Sequence, residues 1–241
     1  ENAFPIPRGV SYNSYLLLDE KTVLFDTVDG AILDNFCENI AHVLDGRDLD
    51  YVFVHHMEPD HSSSLERVLR KYPNAKIVTN AKTVTYIKQF FDFENIDEKI
   101  VVVKEGETFS TGKHNFAFVL APMVHWPEVM VSFDTTTGTV VECLDREIRK
   151  ADFSKGLNGM KVNAIGKYAF AGCSNLAEIE LGTDITSIGK NAFSGSGLTE
   201  DIVIPPYVTS IENGAFNDIE SKIYNLSDVE ITEGTHCNNN N

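Results

Sequence analysis

The 241-residue chain is short of positive charge: 20 Lys and Arg stand against 36 Asp and Glu, a formal net charge of −16 at pH 7. The deficit runs through both halves, so neither nucleic acid nor an anionic membrane surface is an expected partner. No stretch approaches 18 consecutive apolar residues, and no segment reads as membrane-spanning. The opening residues Glu1-Asn2-Ala3-Phe4-Pro5 lack the charged and apolar regions of a signal peptide, which points to a cytoplasmic protein. A first residue other than Met reads as a fragment or a processed product. Cysteines are few, and Cys37, Cys143, Cys173 and Cys237 lack the paired spacing of a zinc knuckle, a dithiol or a disulfide framework. A reducing compartment follows. Against these absences, 42% of the residues are hydrophobic and 10% aromatic, enough for one large core or two modest ones.

The last third carries a repeat. Ile165-Gly166-Lys167-Tyr168-Ala169-Phe170 returns 23 residues later as Ile188-Gly189-Lys190-Asn191-Ala192-Phe193, and again as Ile211-Glu212-Asn213-Gly214-Ala215-Phe216. Val162, Ile185 and Val208 keep the same step. A fixed period with one constant aromatic predicts a solenoid in which each Phe stacks on the Phe of the next coil. The alternations Ile179/Leu181 and Ile202/Ile204 read as a single strand per coil, with Ala-Phe on a short helical turn. With Cys173 and Leu176 in one copy and Pro205-Pro206 before the next, this pattern resembles the leucine-rich repeats of bacterial surface-antigen type over about residues 157 to 226.

The first 145 or so residues alternate strand-like and helix-like segments instead. Tyr15 to Leu18 and Thr22 to Asp26 flank an Asp19-Glu20-Lys21 turn, a hairpin signal. Helices are predicted over Ala31 to Leu44, Ser62 to Tyr72 and Thr83 to Phe91. Strands are predicted at Tyr51 to Val54, Lys76 to Thr79, Ile100 to Val103, Thr108-Phe109 and Phe116 to Leu120. This order is that of a layered α/β domain. The chain thus divides into an α/β domain over residues 1–150 and repeats with a polar tail over 151–241.

Chemistry concentrates in His55-His56-Met57-Glu58-Pro59-Asp60-His61, between an apolar strand and a helix. His56 and Glu58 lie two apart and project to one side of an extended backbone, while Asp60 and His61, beyond Pro59, can turn to a second position. Four such donors can serve two metals, and His125 in His125-Trp126-Pro127-Glu128 is a natural distal ligand. A surface loop that happens to be rich in His and acids is the bland alternative, but five such groups within seven residues, bracketed by strand and helix, argue against it.

Three motifs in order, Pro5-Ile6-Pro7-Arg8-Gly9-Val10-Ser11-Tyr12-Asn13-Ser14-Tyr15, His56-x-Glu58-x-Asp60-His61 and His125-Trp126-Pro127-Glu128, resemble those of the flavodiiron proteins, over about residues 1 to 141. The resemblance implies a fold class of α/β type, a partial metallo-β-lactamase-like αββα sandwich followed here by a short leucine-rich-repeat solenoid. It implies two iron ions and the reduction of dioxygen to water or of nitric oxide to nitrous oxide. By position, His56, Glu58 and His125 would ligate one iron and Asp60 and His61 the other. His55 stands where the family usually has Asn and is not counted. A carboxylate at Glu58, where zinc hydrolases of the same fold carry His, favours iron, with zinc as the alternative metal.

Other family features find no match. The bridging carboxylate falls on Asp145, with Glu142 as the fallback, in surroundings unlike the family's. The last family His has no counterpart, and His236 reads as tail. No phosphate loop for FMN is visible, so FMN is not expected to bind this chain, and electrons would come from an external flavin or rubredoxin-like donor; a homodimer is also in keeping with the family. The break near residues 142 to 156 leaves an open sheet edge that the solenoid is placed to cover. Two further readings stand beside the flavodiiron one: a zinc-dependent hydrolase of the same fold, and a binding protein whose repeats engage a protein partner. His42 and His114 read as solvated, and Cys173 as a core residue of its coil.

Overall fold

The computed structural model describes residues 12–92, 94–123, 126–140, 149–156 and 161–237. His125, Glu142, Cys143, Asp145 and the tail from Asn238 lie outside the described residues. By motif the chain divides near residue 150; by compactness it forms one unit from Glu1–Thr79 with Thr83–Val102, and a second from Asn80–Lys82 with Val103–Asn241.

In the first unit β1 (Tyr15–Leu18) and β2 (Thr22–Phe25) form the expected antiparallel hairpin, with Leu16 opposite Leu24. Helix α1 (Leu33–Leu44), preceded by a 3-10 turn at Gly30–Ile32, buries Cys37, Ile40 and Leu44 on one face. It ends where Asp45 turns left-handed (φ 46°) and donates its N–H to the Ala41 carbonyl. The chain then enters β3 (Tyr51–Phe53), parallel to β2.

The helix read as Ser62 to Tyr72 begins earlier and is broken. Helix α2 (Pro59–Ser62) takes Pro59 at its first position, where the missing N–H costs nothing. Ser62 Oγ bonds the Met57 and Glu58 carbonyls and Ser63 Oγ the Pro59 carbonyl, so side-chain hydroxyls satisfy the backbone before α3 (Leu65–Lys71) starts. The chain continues through β4 (Lys76–Asn80), parallel to β3, then α4 (Ala81–Phe90), a short α5 (Ile96–Lys99) and β5 (Ile100–Val103). The five strands lie in the order β1-β2-β3-β4-β5. Val23, Leu24, Phe25, Val52, Phe53, Ile77 and Val78 are all buried, the unbroken apolar run expected of strands covered on both faces.

The second unit opens with the antiparallel meander β6 (Thr108–Ser110), β7 (Asn115–Leu120), β8 (Met130–Asp134) and β9 (Thr139–Val140). Strand β8 escapes a reading by pattern because Ser132 and Asp134 are buried beside Met130 and Phe133. Asp134 also corrects the reading of His114 as solvated: its Oδ2 lies 2.7 Å from His114 Nδ1 and accepts from Thr137 Oγ1.

The repeats carry two short strands per coil rather than one. One ladder runs through β11 (Ala164–Ile165), β13 (Ser187–Ile188) and β15 (Ser210–Ile211). On the other side of the coils β10 (Lys150–Asp152) pairs β12 (Glu178–Glu180), and β14 (Ile202–Ile204) pairs β16 (Ile223–Asn225). Two-residue strands are too short for alternation to reveal. The Ala-Phe dipeptides sit on turns, not helices.

The phenylalanines stack as expected. Phe170 and Phe193 lie 5.4 Å apart at 11°, Phe193 and Phe216 5.6 Å apart at 10°, and Phe153 meets Phe170 edge-on. The coils run past the expected end near residue 226: Gly214 N–H donates to the Thr235 carbonyl and Phe216 N–H to that of His236. His236 therefore belongs to the last coil, and Cys237 beside it is buried in the core.

One position is left-handed in all three copies of the Ala-Phe motif, held by Tyr168 (φ 59°), Asn191 (φ 53°) and Gly214 (φ 72°). Asn and Gly accept that region at little cost; a tyrosine loses about 1–2 kcal/mol there. Tyr168→Asn is therefore expected to stabilise the second unit by roughly 0.5–1 kcal/mol, read as a higher urea midpoint. A lower midpoint would mean that the half-exposed ring packs more strongly than its backbone is strained.

Candidate metal centre

Parallel strands that enter helices leave their C-terminal ends open as a crevice, and the polar cluster lies there. Beyond β3, the Val54 N–H donates to the Val78 carbonyl, and Thr79 Oγ1 donates to the Val54 carbonyl. This holds the chain extended into His55 and His56, both wholly buried. Pro59 then starts α2 and turns Asp60 and His61 back within its single turn.

Two imidazole–carboxylate pairs result. His56 Nε2 lies 3.1 Å from Glu58 Oε2, and His61 Nε2 lies 3.9 Å from Asp60 Oδ2. The His56 and His61 rings are 5.5 Å apart. Exposure rises outward, with the His56 side chain at 0%, His61 at 14%, Asp60 at 27% and Glu58 at 39%, so the imidazoles form the floor and the carboxylates the rim.

Behind the imidazoles sits Asp26, which belongs to none of the three motifs. It follows β2 in a left-handed conformation (φ 53°), is fully buried, and donates its N–H to the Phe53 carbonyl. Its Oδ1 accepts from the His55 N–H at 2.7 Å, and its Oδ2 faces His55 Nδ1 at 3.4 Å and His61 Nδ1 at 3.3 Å. Burial by itself would push this carboxyl up, but the charge and hydrogen bonding of His55, and then of His61, outweigh it and hold the group well below the usual carboxylate range. Thr27 adds a second hold, its N–H and Oγ1 both donating to the His61 carbonyl at 2.8 Å. The only signal in the sequence is an Asp-Thr pair directly after a buried strand.

His55, set aside as a ligand, is placed for support: its ring lies parallel to that of Phe25, 6.1 Å away, with Nδ1 on Asp26. His61 has Nδ1 turned inward to a carboxylate and Nε2 outward, the arrangement that metal-ligating histidines use. Nitrogen and carboxylate oxygen donors suit iron, manganese or zinc. The residues present therefore fit such an ion as paired donors. Among the described residues no three His, Cys, Asp or Glu side chains converge as a complete metal-holding group. The two remaining expected donors, His125 and Asp145, lie outside the described residues.

The family model described as ODP family beta lactamase matches residues 10–142, more than half of the chain. The chain belongs to the ODP beta-lactamase family. A second model, the BspA type leucine rich repeat region in six copies, matches residues 152–240. This ODP-family chain is 39% identical over 122 residues to flavo-diiron protein FprA2 of Clostridium acetobutylicum, an alignment covering 51% of this chain and 30% of that protein. It is 38% identical over 127 residues to the rubredoxin-oxygen oxidoreductase of Megalodesulfovibrio gigas, covering 53% and 31%, and 33% identical over 131 residues to a nitric oxide reductase of Moorella thermoacetica, covering 54% and 32%. Among solved structures, rubredoxin oxygen:oxidoreductase from Desulfovibrio gigas superposes with a TM-score of 0.52 at 31% identity, over 66% of this chain and 37% of that one. A flavoprotein from Thermotoga maritima gives 0.50 at 31% identity, over 56% and 33%. The ODP-family chain spans about a third of the length of the curated relatives it matches. Among its described residues no helix is long and apolar enough to cross a membrane.

Proposed function

We propose that the chain is the metal-binding part of a flavodiiron-type oxidoreductase joined to a repeat array. The observation that carries this reading is the two imidazole–carboxylate pairs at the strand ends, His61 backed by buried Asp26, in a sequence that matches flavodiiron proteins. His56 and Glu58, with His125, would hold one ion and Asp60 and His61 the second, with Asp145 as the further carboxylate that the family resemblance assigns to the pair. A pair of irons there would supply redox equivalents for reducing dioxygen to water or nitric oxide to nitrous oxide. The chain's own residues do the rest. Asp26 and Thr27 fix His61, the rim carboxylates Glu58 and Asp60 lower the net charge of bound cations, and the buried floor keeps bulk water from the imidazoles.

FMN is not bound by this chain. Electrons come from a separate flavin or rubredoxin-type partner, and the repeats provide a surface for a protein partner. Among the described residues Cys37 and Cys237 are buried and in no disulfide, in keeping with a reducing, cytoplasmic setting.

The test is metal analysis of the full chain purified without air from iron-supplemented medium. About two irons per chain are expected, as for other two-metal sites, and His56→Ala with Glu58→Ala is expected to abolish binding at their position. Protein that takes up no iron overturns the reading. Zinc in place of iron, with ester or lactam hydrolysis, replaces it by the hydrolase of the same fold.

A further inference from the structure

A repeat array and a β-meander share a weakness. Each ends in a strand whose backbone groups lack a partner, and the array also exposes its core at the first coil. In this chain the two ends meet. Strand β9 pairs with β11 in parallel, Thr139 opposite Ala164 and Val140 opposite Ile165, the same direction and register by which β11 pairs with β13 and β13 with β15. A single seven-stranded sheet results, in the order β15-β13-β11-β9-β8-β7-β6.

The meander mimics a coil in backbone as well as in strand. The Thr209 N–H donates to the Thr186 carbonyl and the Thr186 N–H to the Asn163 carbonyl, both at 2.8 Å; the Asn163 N–H donates to the Gly138 carbonyl at 3.1 Å. Gly138 stands where a coil of its own would place the next residue of that column. It is left-handed (φ 67°), and a side chain there would begin 1.8 Å from the Asn163 carboxamide oxygen, so the glycine makes room for the first coil. The core is shared too. Phe133 of β8, 2% exposed, belongs to the same buried cluster as the repeat residues, and Val131 packs against it.

We propose that the β8–β9 hairpin is the N-terminal cap of the repeat solenoid, so that β6–β9 and the repeats fold and unfold as one cooperative unit. The solenoid in turn occupies the edge of the meander, which is closed to any partner that would add a strand there. The cooperative unit then begins before the sequence boundary near residue 150, at the meander.

Native-state hydrogen exchange on the intact chain over a urea series tests this. The amides of Phe118 and Ala121 in and beside β7 and those of Asn163 and Thr186 in the first coils are expected to converge on one opening transition. Thr139→Pro, which puts a proline in β9 between β8 and the first coil, is expected to speed exchange at Asn163 and Thr186 at least tenfold. The proposal is overturned if, in the unmodified chain, the coil amides open in a separate transition from the β7 amides. It is equally overturned if Thr139→Pro leaves the Thr186 amide at its original rate. Because the urea series uses the unmodified chain, the outcome does not depend on the variant folding.

Discussion

Phe193→Ala is expected to cost the second unit about 3–5 kcal/mol, the range for deleting a fully buried aromatic ring. Phe193 is 0% exposed and is the ring with a parallel neighbour on each side, Phe170 and Phe216. Truncating it therefore breaks two stacks at once, in an array where each coil is held by its neighbours alone. The turns around the ring cannot close on the cavity. The Phe170 N–H is tied to the Ala192 carbonyl at 2.7 Å and the Phe193 N–H to the Ala215 carbonyl at 2.8 Å, which fixes the coil spacing. A domain with roughly 5–15 kcal/mol of total stability loses much of it by such a change. Urea unfolding of the full chain, followed through repeat amides, reads the effect. Phe193→Leu, which keeps most of the volume, should lose clearly less. A loss below about 1 kcal/mol for the alanine variant would mean that the stack packs loosely and that the backbone ladders carry the array.

Asp26→Ala should also damage the first unit, by about 1–3 kcal/mol for each buried donor left without its acceptor. The His55 N–H loses its acceptor, and the two Nδ1 atoms that face Oδ2 at 3.3–3.4 Å lose that carboxylate in a buried floor. Asp26→Asn keeps the shape and one acceptor oxygen and should recover part of the loss. A second effect follows for the centre. With the carboxylate gone from behind Nδ1, the His61 ring is held less firmly, and metal affinity should fall by roughly 10–100-fold, the usual result of losing a supporting carboxylate. Urea unfolding read at β3 and β4 amides and metal titration of the same protein separate the two effects. An Asp26→Ala chain with the original urea midpoint would show that the carboxylate is not what holds the cluster.

Much of this organisation is legible in the order of the residues. The 23-residue step gives the repeats and their stacked rings because each coil makes identical demands on its sequence. The four donors His56, Glu58, Asp60 and His61 are legible because a strand end followed by Pro59 compresses them into one motif. What escapes is what depends on distant segments. Asp26 meets His55 and His61 across parallel strands, 29 and 35 positions apart in the chain, and no local pattern announces such a meeting. The second strand of each coil is missed because two residues cannot display an alternation. The end of the array is missed because Thr235, His236 and Cys237 have lost the repeat's signature while keeping its hydrogen bonds.

The joint at Gly138 has a consequence for how such chains arise. Of the backbone it asks only a left-handed glycine and two residues of edge strand, Thr139 and Val140, because a parallel ladder presents the same backbone pattern at every coil. A recombination event that drops a repeat array behind a β-hairpin needs only a small apolar face, here Phe133 and Val131, for the first coil to pack on. Grafting of this kind should be open to many unrelated sheets, and variation in repeat number should be neutral at the joint, since the added coils would extend the far end.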